Sequence, residues 1–324
     1  MPGEFDLIRR FFHYPTSHTD LGVGDDAALL RARPGMQLVV STDMLVAGTH
    51  FLPDTDPFLL GWKAAAVNIS DMAAMAAEPR WITLALALPH ADEEWVSALA
   101  RGFRECCEGY CVDWIGGDTT RGPLNLCPTV FGEVPFESAV RRDGARHGDD
   151  LWISGWPGMA ALGLAQLQGQ LQLVGGWAES CLDRLHRPLP RVALGIGLRG
   201  IASAMLDVSD GLLGDLSHIL ERSQVGAIIE ETALPLEPLL AACKITERAT
   251  AALLGGGDDY ELLFCVPREK RGQVEALSRH FELPLHRIGR ILDKSGLWLQ
   301  RGDGVCEALA ARGFDHFVAA KTPD

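Results

Sequence analysis

The sequence contains no Gly-Lys-Ser or Gly-Lys-Thr, which excludes a Walker A phosphate cradle, and neither HRD nor DFG, which excludes the protein-kinase apparatus. Lysines are few. No run of Lys and Arg forms a basic patch, and 43 acidic against 29 basic residues give a formal net charge of −14 that would repel nucleic-acid phosphates. A nucleic-acid partner is therefore not expected. The eight cysteines include no CxxC pair. Cys106, Cys107 and Cys111 share one helical stretch and the rest are scattered, so free thiols are expected rather than zinc ligands or disulfides. The opening MPGEFDLIRRFF has acidic residues and no continuous apolar core. It reads as neither a secretory signal nor a membrane span, no membrane partner is expected, and a cytoplasmic location is the default.

What is present is an ordinary globular composition, 47% hydrophobic and 22% charged over 324 residues, long enough for two domains with cores of their own. Within it, VNISDMAAM (67–75) sets Asn68 and Asp71 in an otherwise apolar helix. A carboxylate there is costly to desolvate unless a cation or hydrogen bonds compensate it. Five acidic turns accompany it: GVGDDAA with Asp25 and Asp26, STD with Ser41, Thr42 and Asp43, GGD with Gly117 and Asp118, DVSDG with Asp207, Ser209 and Asp210, and GGGDDYE with Asp258 and Asp259. One such Asp is more often a turn former or helix cap than a ligand. Five turns together with Asp71 favour a hard, oxygen-ligated cation such as magnesium, which keeps waters and substrate phosphates in its remaining positions. Phosphates would then be held by several metal ions, backbone amides and arginines, for which Arg121, Arg141 and Arg142 are candidates. GWPGMAALG (155–163) matches neither Walker A nor GxGxxG and reads as a turn feeding a helix.

Helical spacing of Phe5, Ile8, Phe11 and Phe12 predicts a short amphipathic helix over 4–13. MQLVVSTDMLV reads as a strand, Pro57 starts a small-residue helix that ends before Pro79, and WITLALALP is a strand. A helix over ADEEWVSALARGFRECCEGY and strands over VDWIGGD and LNLCPTVFGEVP follow. The pattern is an α+β sandwich with two helices on one face of a sheet, not a Rossmann alternation. The polar ESAVRRDGARHGDD suggests a boundary, which places an N-terminal domain at 1–137 and a C-terminal α/β domain at 138–324. The second half repeats the mixture, with strands over LWISG, VGAIIEE, HRIGRIL and GLWLQRG, and helices over MAALGLAQLQ, TERATAALL and REKRGQVEALSRHF. HRPLPRVALGIGLRGI reads as a proline-started helix, and MLDVSDGLLGDLSHILERS runs from a strand end into a helix.

LGVGDDAALL, STDMLVAGTHF, KAAAVNISDMAAM, IGGDTTRGP, LDVSDGL and GGGDDYEL together resemble the thiamine-monophosphate kinase family, part of a superfamily with aminoimidazole ribonucleotide synthetase and the selenophosphate synthetases. The resemblance runs from GEFDLIRRFF to the GFDHF tail. It implies a two-domain α/β fold whose N-terminal mixed sheet pairs with that of a second subunit into a barrel, making a homodimer. The implied activity is ATP-dependent phosphorylation of thiamine monophosphate to thiamine diphosphate, by direct in-line attack and without a phosphoenzyme. By motif, Asp26, Ser41, Thr42, Asp43, Asp71, Asp118 and Asp207 resemble magnesium ligands, and Asp210 holds a further ion. Gly117, Asp118, Arg142 and Ser209 resemble ATP contacts, and His50, Asp258 and Phe314 resemble contacts to thiamine monophosphate. Two departures stand out. The family's GGED reads GGDD here, so Asp258 is one methylene shorter than the usual Glu, and Phe314 replaces a more polar aromatic of some relatives. The same machinery would also serve another ATP-dependent synthetase or cyclase of the superfamily, or a non-catalytic nucleotide-binding assembly protein.

Overall fold

The computed structural model describes residues 4–310, and Phe314 with the GFDHF tail lies outside them. The chain forms two compact units. The first runs to Val140 and also takes His186–Gly200; the second comprises Arg141–Leu185 and the residues from Ile201 on. The excursion is tied to the first unit by Trp62 Nε1, which donates to the Pro188 carbonyl (3.2 Å), and by Arg199 Nε, which donates to the Ala76 carbonyl (2.6 Å).

In the first unit, strands β1 (Thr19–Leu21) and β2 (Leu29–Leu30) form a small antiparallel pair. Strands β3 (Met36–Thr42), β4 (Leu45–Val46), β5 (Glu78–Leu88), β6 (Asp113–Arg121) and β7 (Asn125–Pro135) form a sheet ordered β3-β7-β5-β6, with β4 also on β7. All neighbours are antiparallel except β5 and β6. Helices Pro57–Ala74 and Glu93–Gly109 pack closely on each other, and the former also packs on this sheet. Asp56 caps the first helix through the N–H groups of Phe58 and Leu59 (2.9 and 3.2 Å), with Pro57 at the first turn where its missing donor costs nothing. Glycines set the helix spacing. A Cβ at Gly102 would lie 1.8 Å from the Phe58 carbonyl oxygen, and one at Gly61 2.0 Å from that of Leu99. Gly102→Ala is therefore expected to destabilise the protein by about 2–3 kcal/mol in urea unfolding, since backbone must move to admit the methyl group; an unchanged midpoint would show that the crossing is not this tight.

The N-terminal segment is helical over Glu4–Leu7, but Ile8–Phe12 winds as a π-helix with Phe12 buried. Cys106 and Cys107 are buried packing residues, while Cys111 is exposed; every cysteine is a free thiol.

The second unit holds β8 (Asp150–Ser154), β9 (Ala204–Asp207), β10 (Gly226–Glu230), β11 (Leu262–Val266), β12 (Leu285–Leu292), β13 (Gly296–Gln300) and β14 (Cys306–Ala308), ordered β14-β13-β10-β12-β8-β11-β9. Only β10 and β13 run parallel. Its core joins Leu151, Ile153, Leu206, Leu263 and Ile291 of the strands to Leu212, Leu216 and Ile219 of helix Leu212–Ser223 and Leu253 of helix Thr246–Gly255. Two helices went unforeseen, Trp177–His186 and Glu237–Cys243. The proline-started helix is much shorter than expected, six residues from Val192 to Gly197. It is interrupted by glycines, and Gly195 packs so closely that a Cβ there would lie 2.2 Å from the Ala73 carbonyl oxygen.

Candidate active site

In the first unit the alternation of β3 sorts the STD residues by face. Leu38 and Val40 are each 56% exposed and share a face with Thr42, while Ser41 turns toward helix Pro57–Ala74. There Ser41 Oγ donates to Asp71 Oδ2 at 2.6 Å, so a residue from the strand end and the anomalous helical acid meet. Thr42 Oγ1 lies 2.7 Å from Thr129 Oγ1, so its hydroxyl is engaged across β7. Asn68, fully buried one helical turn before Asp71, accepts the Asp43 N–H on its side-chain carbonyl (3.1 Å) and donates its amide to the Ala64 carbonyl (3.0 Å). Both sides of the strand end are thus pinned to one helix.

Asp26 stands on the exposed loop between β1 and β2, its N–H donating to Asp25 Oδ1 (2.8 Å). Two acids not anticipated from sequence anchor that hairpin. Asp113, buried at the start of β6, accepts from Ser17 N–H (2.8 Å), His18 N–H (2.5 Å) and Thr19 Oγ1 (2.7 Å) on the way in. Glu133, buried in β7, accepts from the backbone N–H and the Nε of Arg33 (2.6 and 2.5 Å) on the way out. Their sequence signal is weak, because an Asp opening a strand and a Glu near the end of one read equally as solvated residues.

Farther along β6, Gly117 pairs with Leu84 and Asp118 with Ala85 in the parallel register. A Cβ at Gly117 would lie 1.9 Å from the Leu84 carbonyl oxygen, so glycine is required for β6 to approach β5 and present the exposed Asp118. His50 Nδ1 accepts the Val46 N–H at 2.9 Å, which leaves Nε2 to carry the proton of the neutral ring.

In the second unit the DVSDG and GGDDYE turns lie side by side. Val208 N–H donates to the Glu261 carbonyl, Tyr260 N–H to that of Val208 and Asp258 N–H to that of Ser209, each at 2.8 Å. Asp207 is buried at the end of β9 opposite Leu262. Asp258 has φ +70°, a left-handed conformation that short polar side chains visit more readily than long ones. Asp258→Glu is accordingly expected to cost less than about 1 kcal/mol in a thermal melt; a larger loss would show that GGDD has a geometry of its own.

Asp215, in the first turn of helix Leu212–Ser223, accepts the N–H groups of Ser209 and Asp210 on one oxygen, each at 3.0 Å. Burial pushes its carboxyl up to about 7, and Asp210 adds to the rise, while those N–H groups and the charge of Arg142 oppose it. Arg142 thus shares a neighbourhood with Ser209 and Asp210. Asp259 is buried, and its Oδ2 accepts the Gly158 N–H (2.7 Å) where helix Met159–Leu167 begins. Burial pushes this carboxyl well above its ordinary value, against the N–H groups of Gly158 and Ala160. GWPGMAALG is therefore a turn feeding a helix, and its amides are taken by a side chain of the protein.

Among the described residues, no group of three or more His, Cys, Asp and Glu side chains is gathered closely enough to hold a metal by itself. The predicted donors are instead spread in ones and twos: Ser41 with Asp71, Asp43 beside Asn68, Asp118, Asp26, and separately Asp207 and Asp210. All are hard oxygen donors. That set suits magnesium, which completes its shell with water and phosphate oxygens, and does not suit a softer ion that wants a closed protein cage.

A model of the AIR synthase related protein N-terminal domain matches residues 24–134, and one of the corresponding C-terminal domain matches residues 148–300. The thiamine-monophosphate kinase of Escherichia coli O157:H7 is 44% identical over 321 residues, covering 98% of this chain and 98% of that protein. The crystal structure of thiamine-monophosphate kinase from Stenotrophomonas maltophilia K279a is 47% identical with a TM-score of 0.81, covering 89% of this chain and 92% of the other. A structure of AaThiL complexed with AMPPCP and TMP is 30% identical with a TM-score of 0.77, covering 97% of each chain. Similarity of this degree over nearly the whole length, with the fold shared, places the chain in the thiamine-monophosphate kinase family of AIR synthase related proteins.

Proposed function

We propose that this protein phosphorylates thiamine monophosphate with ATP, giving thiamine diphosphate and ADP. The observation that carries the reading is the 44% identity to a thiamine-monophosphate kinase across 98% of both chains. The structure of AaThiL complexed with AMPPCP and TMP supports the same pair of substrates.

In the reaction, an oxygen of the substrate phosphate attacks the γ-phosphorus of ATP in line while the bond to the β–γ bridging oxygen breaks, and ADP leaves. A phosphate monoester is already largely ionised near neutral pH, so no protein general base is required. Asp26, Ser41, Thr42, Asp43, Asp71, Asp118 and Asp207 would hold magnesium, with Asp210 on a further ion. Magnesium supplies screening between the two polyanions and stabilises charge on the transferring phosphoryl group. Gly117, Asp118, Arg142 and Ser209 hold ATP, the guanidinium offering a planar fork of donors suited to phosphate. His50, Asp258 and Phe314 hold the thiamine phosphate. The Val46 N–H donated to His50 Nδ1 at 2.9 Å fixes how the ring is turned. Rapid quench with ATP labelled on the γ-phosphate tests direct transfer: label should pass to thiamine diphosphate with none left on denatured protein, and a labelled protein would contradict it.

The functional unit is a homodimer through the first unit's sheet. What supports this is β3, an edge strand of its own sheet whose Leu38 and Val40 are exposed, next to exposed Met44 and Phe136. Sedimentation should give a dimer for the parent and a monomer for Leu38→Asp with Val40→Lys; an unshifted dimer would place the interface elsewhere. No helix among the described residues is long and apolar enough to cross a membrane, and the protein is proposed to work in the cytoplasm.

A further inference from the structure

The helix Leu212–Ser223 starts at Gly211 (φ +108°), which carries no side chain to cap it. The amides ahead of the helix are served instead by Asp215, which is 4% exposed among Leu212, Leu213 and Leu216. The pattern of this inward face calls for another leucine. A buried acid there carries a desolvation cost that only its hydrogen bonds offset. One oxygen takes both the Ser209 and the Asp210 N–H. From the other side the Ser209 carbonyl accepts the Asp258 N–H at 2.8 Å, and Gly257 approaches so closely that a Cβ would stand 2.2 Å from that oxygen. The peptide joining the two functional residues is held between these groups before any ligand arrives.

We propose that Asp215 is a positioning residue for nucleotide binding: its carboxylate preorganises the Ser209–Asp210 backbone so that both side chains meet the ATP phosphates and their cation without a further ordering step. This rests on the reading that Ser209 contacts ATP and Asp210 a metal. Without the acceptor, the turn must be ordered at the moment of binding, and that conformational cost is subtracted from affinity. A simple helix cap would also stabilise the helix but would leave the affinity of the folded protein unchanged.

The test is calorimetric titration of full-length protein with AMP-PCP at saturating magnesium, well below each variant's melting temperature. Asp215→Ala should weaken binding about 10–100-fold, and Asp215→Asn, which keeps an acceptor oxygen in place, should bring it back to within about threefold of the parent. Asp215→Glu keeps the charge but moves the oxygen by a methylene, and should bind weakly while melting near the parent temperature; it replaces the Ala variant if that fails to fold. Folded Ala or Glu variants with parental affinity would overturn the assignment, as would an Asn variant as weak as Ala. A parent that does not bind AMP-PCP would instead overturn the underlying nucleotide reading.

Discussion

Asp71→Asn is expected to lower kcat by about a thousandfold or more while the melting temperature moves by less than about 3 °C. The contrast follows from geometry. Asp71 receives the Ser41 hydroxyl at 2.6 Å, and an Asn carbonyl can accept the same bond in nearly the same volume. What is lost is the negative charge that would draw a cation to the end of β3. Asp43→Asn should behave alike, since Asn68 holds Asp43 through its backbone N–H, which the substitution leaves in place. Steady-state kinetics over a magnesium series, beside thermal melts, checks both. Activity near the parent's in both variants would remove the metal-site reading of this helix and strand.

Asn68→Leu is also expected to have a large effect, by a different route. The substituted side chain fills a similar volume in a fully buried position, but no acceptor remains for the Asp43 N–H. An amide stranded in this way costs about 1–3 kcal/mol, and a shift of about 1 Å in the strand end is enough to cost about a hundredfold in kcat. The melt should therefore fall and the rate with it, whereas Asp71→Asn loses rate alone. An Asn68→Leu protein with parental kcat would show that the Asp43 backbone does not need this support.

Asp71 was legible in the sequence because a charge inside VNISDMAAM conflicts with helical periodicity, and the conflict is resolved by a partner on β3. The role of Asn68 was not. Its carbonyl is on the N–H of Asp43, 25 positions away. Periodicity gives the face of a helix and says nothing about which strand end lies against it. Asp215 escaped for a related reason: an acid in a helix's first turn is favourable toward the dipole and so looked unremarkable, yet it points inward.

The packing of helix Pro57–Ala74 on the first unit's sheet followed from the alternation of strands and small-residue helices. Strand order did not, because β5 and β6 are separated by a whole helix, and β10 and β13 by helices together with strands β11 and β12. The return of His186–Gly200 to the first unit was equally hidden. It depends on bonds such as Trp62 to Pro188, between residues 126 positions apart, that no local pattern announces.

Kinase activity is measured by incubating the purified protein with ATP, magnesium and thiamine monophosphate and following products by phosphorus NMR. Thiamine diphosphate should appear in step with ADP, and neither should form when thiamine monophosphate is omitted. Folded protein that forms no thiamine diphosphate at saturating magnesium, or that releases ADP without it, would contradict the account.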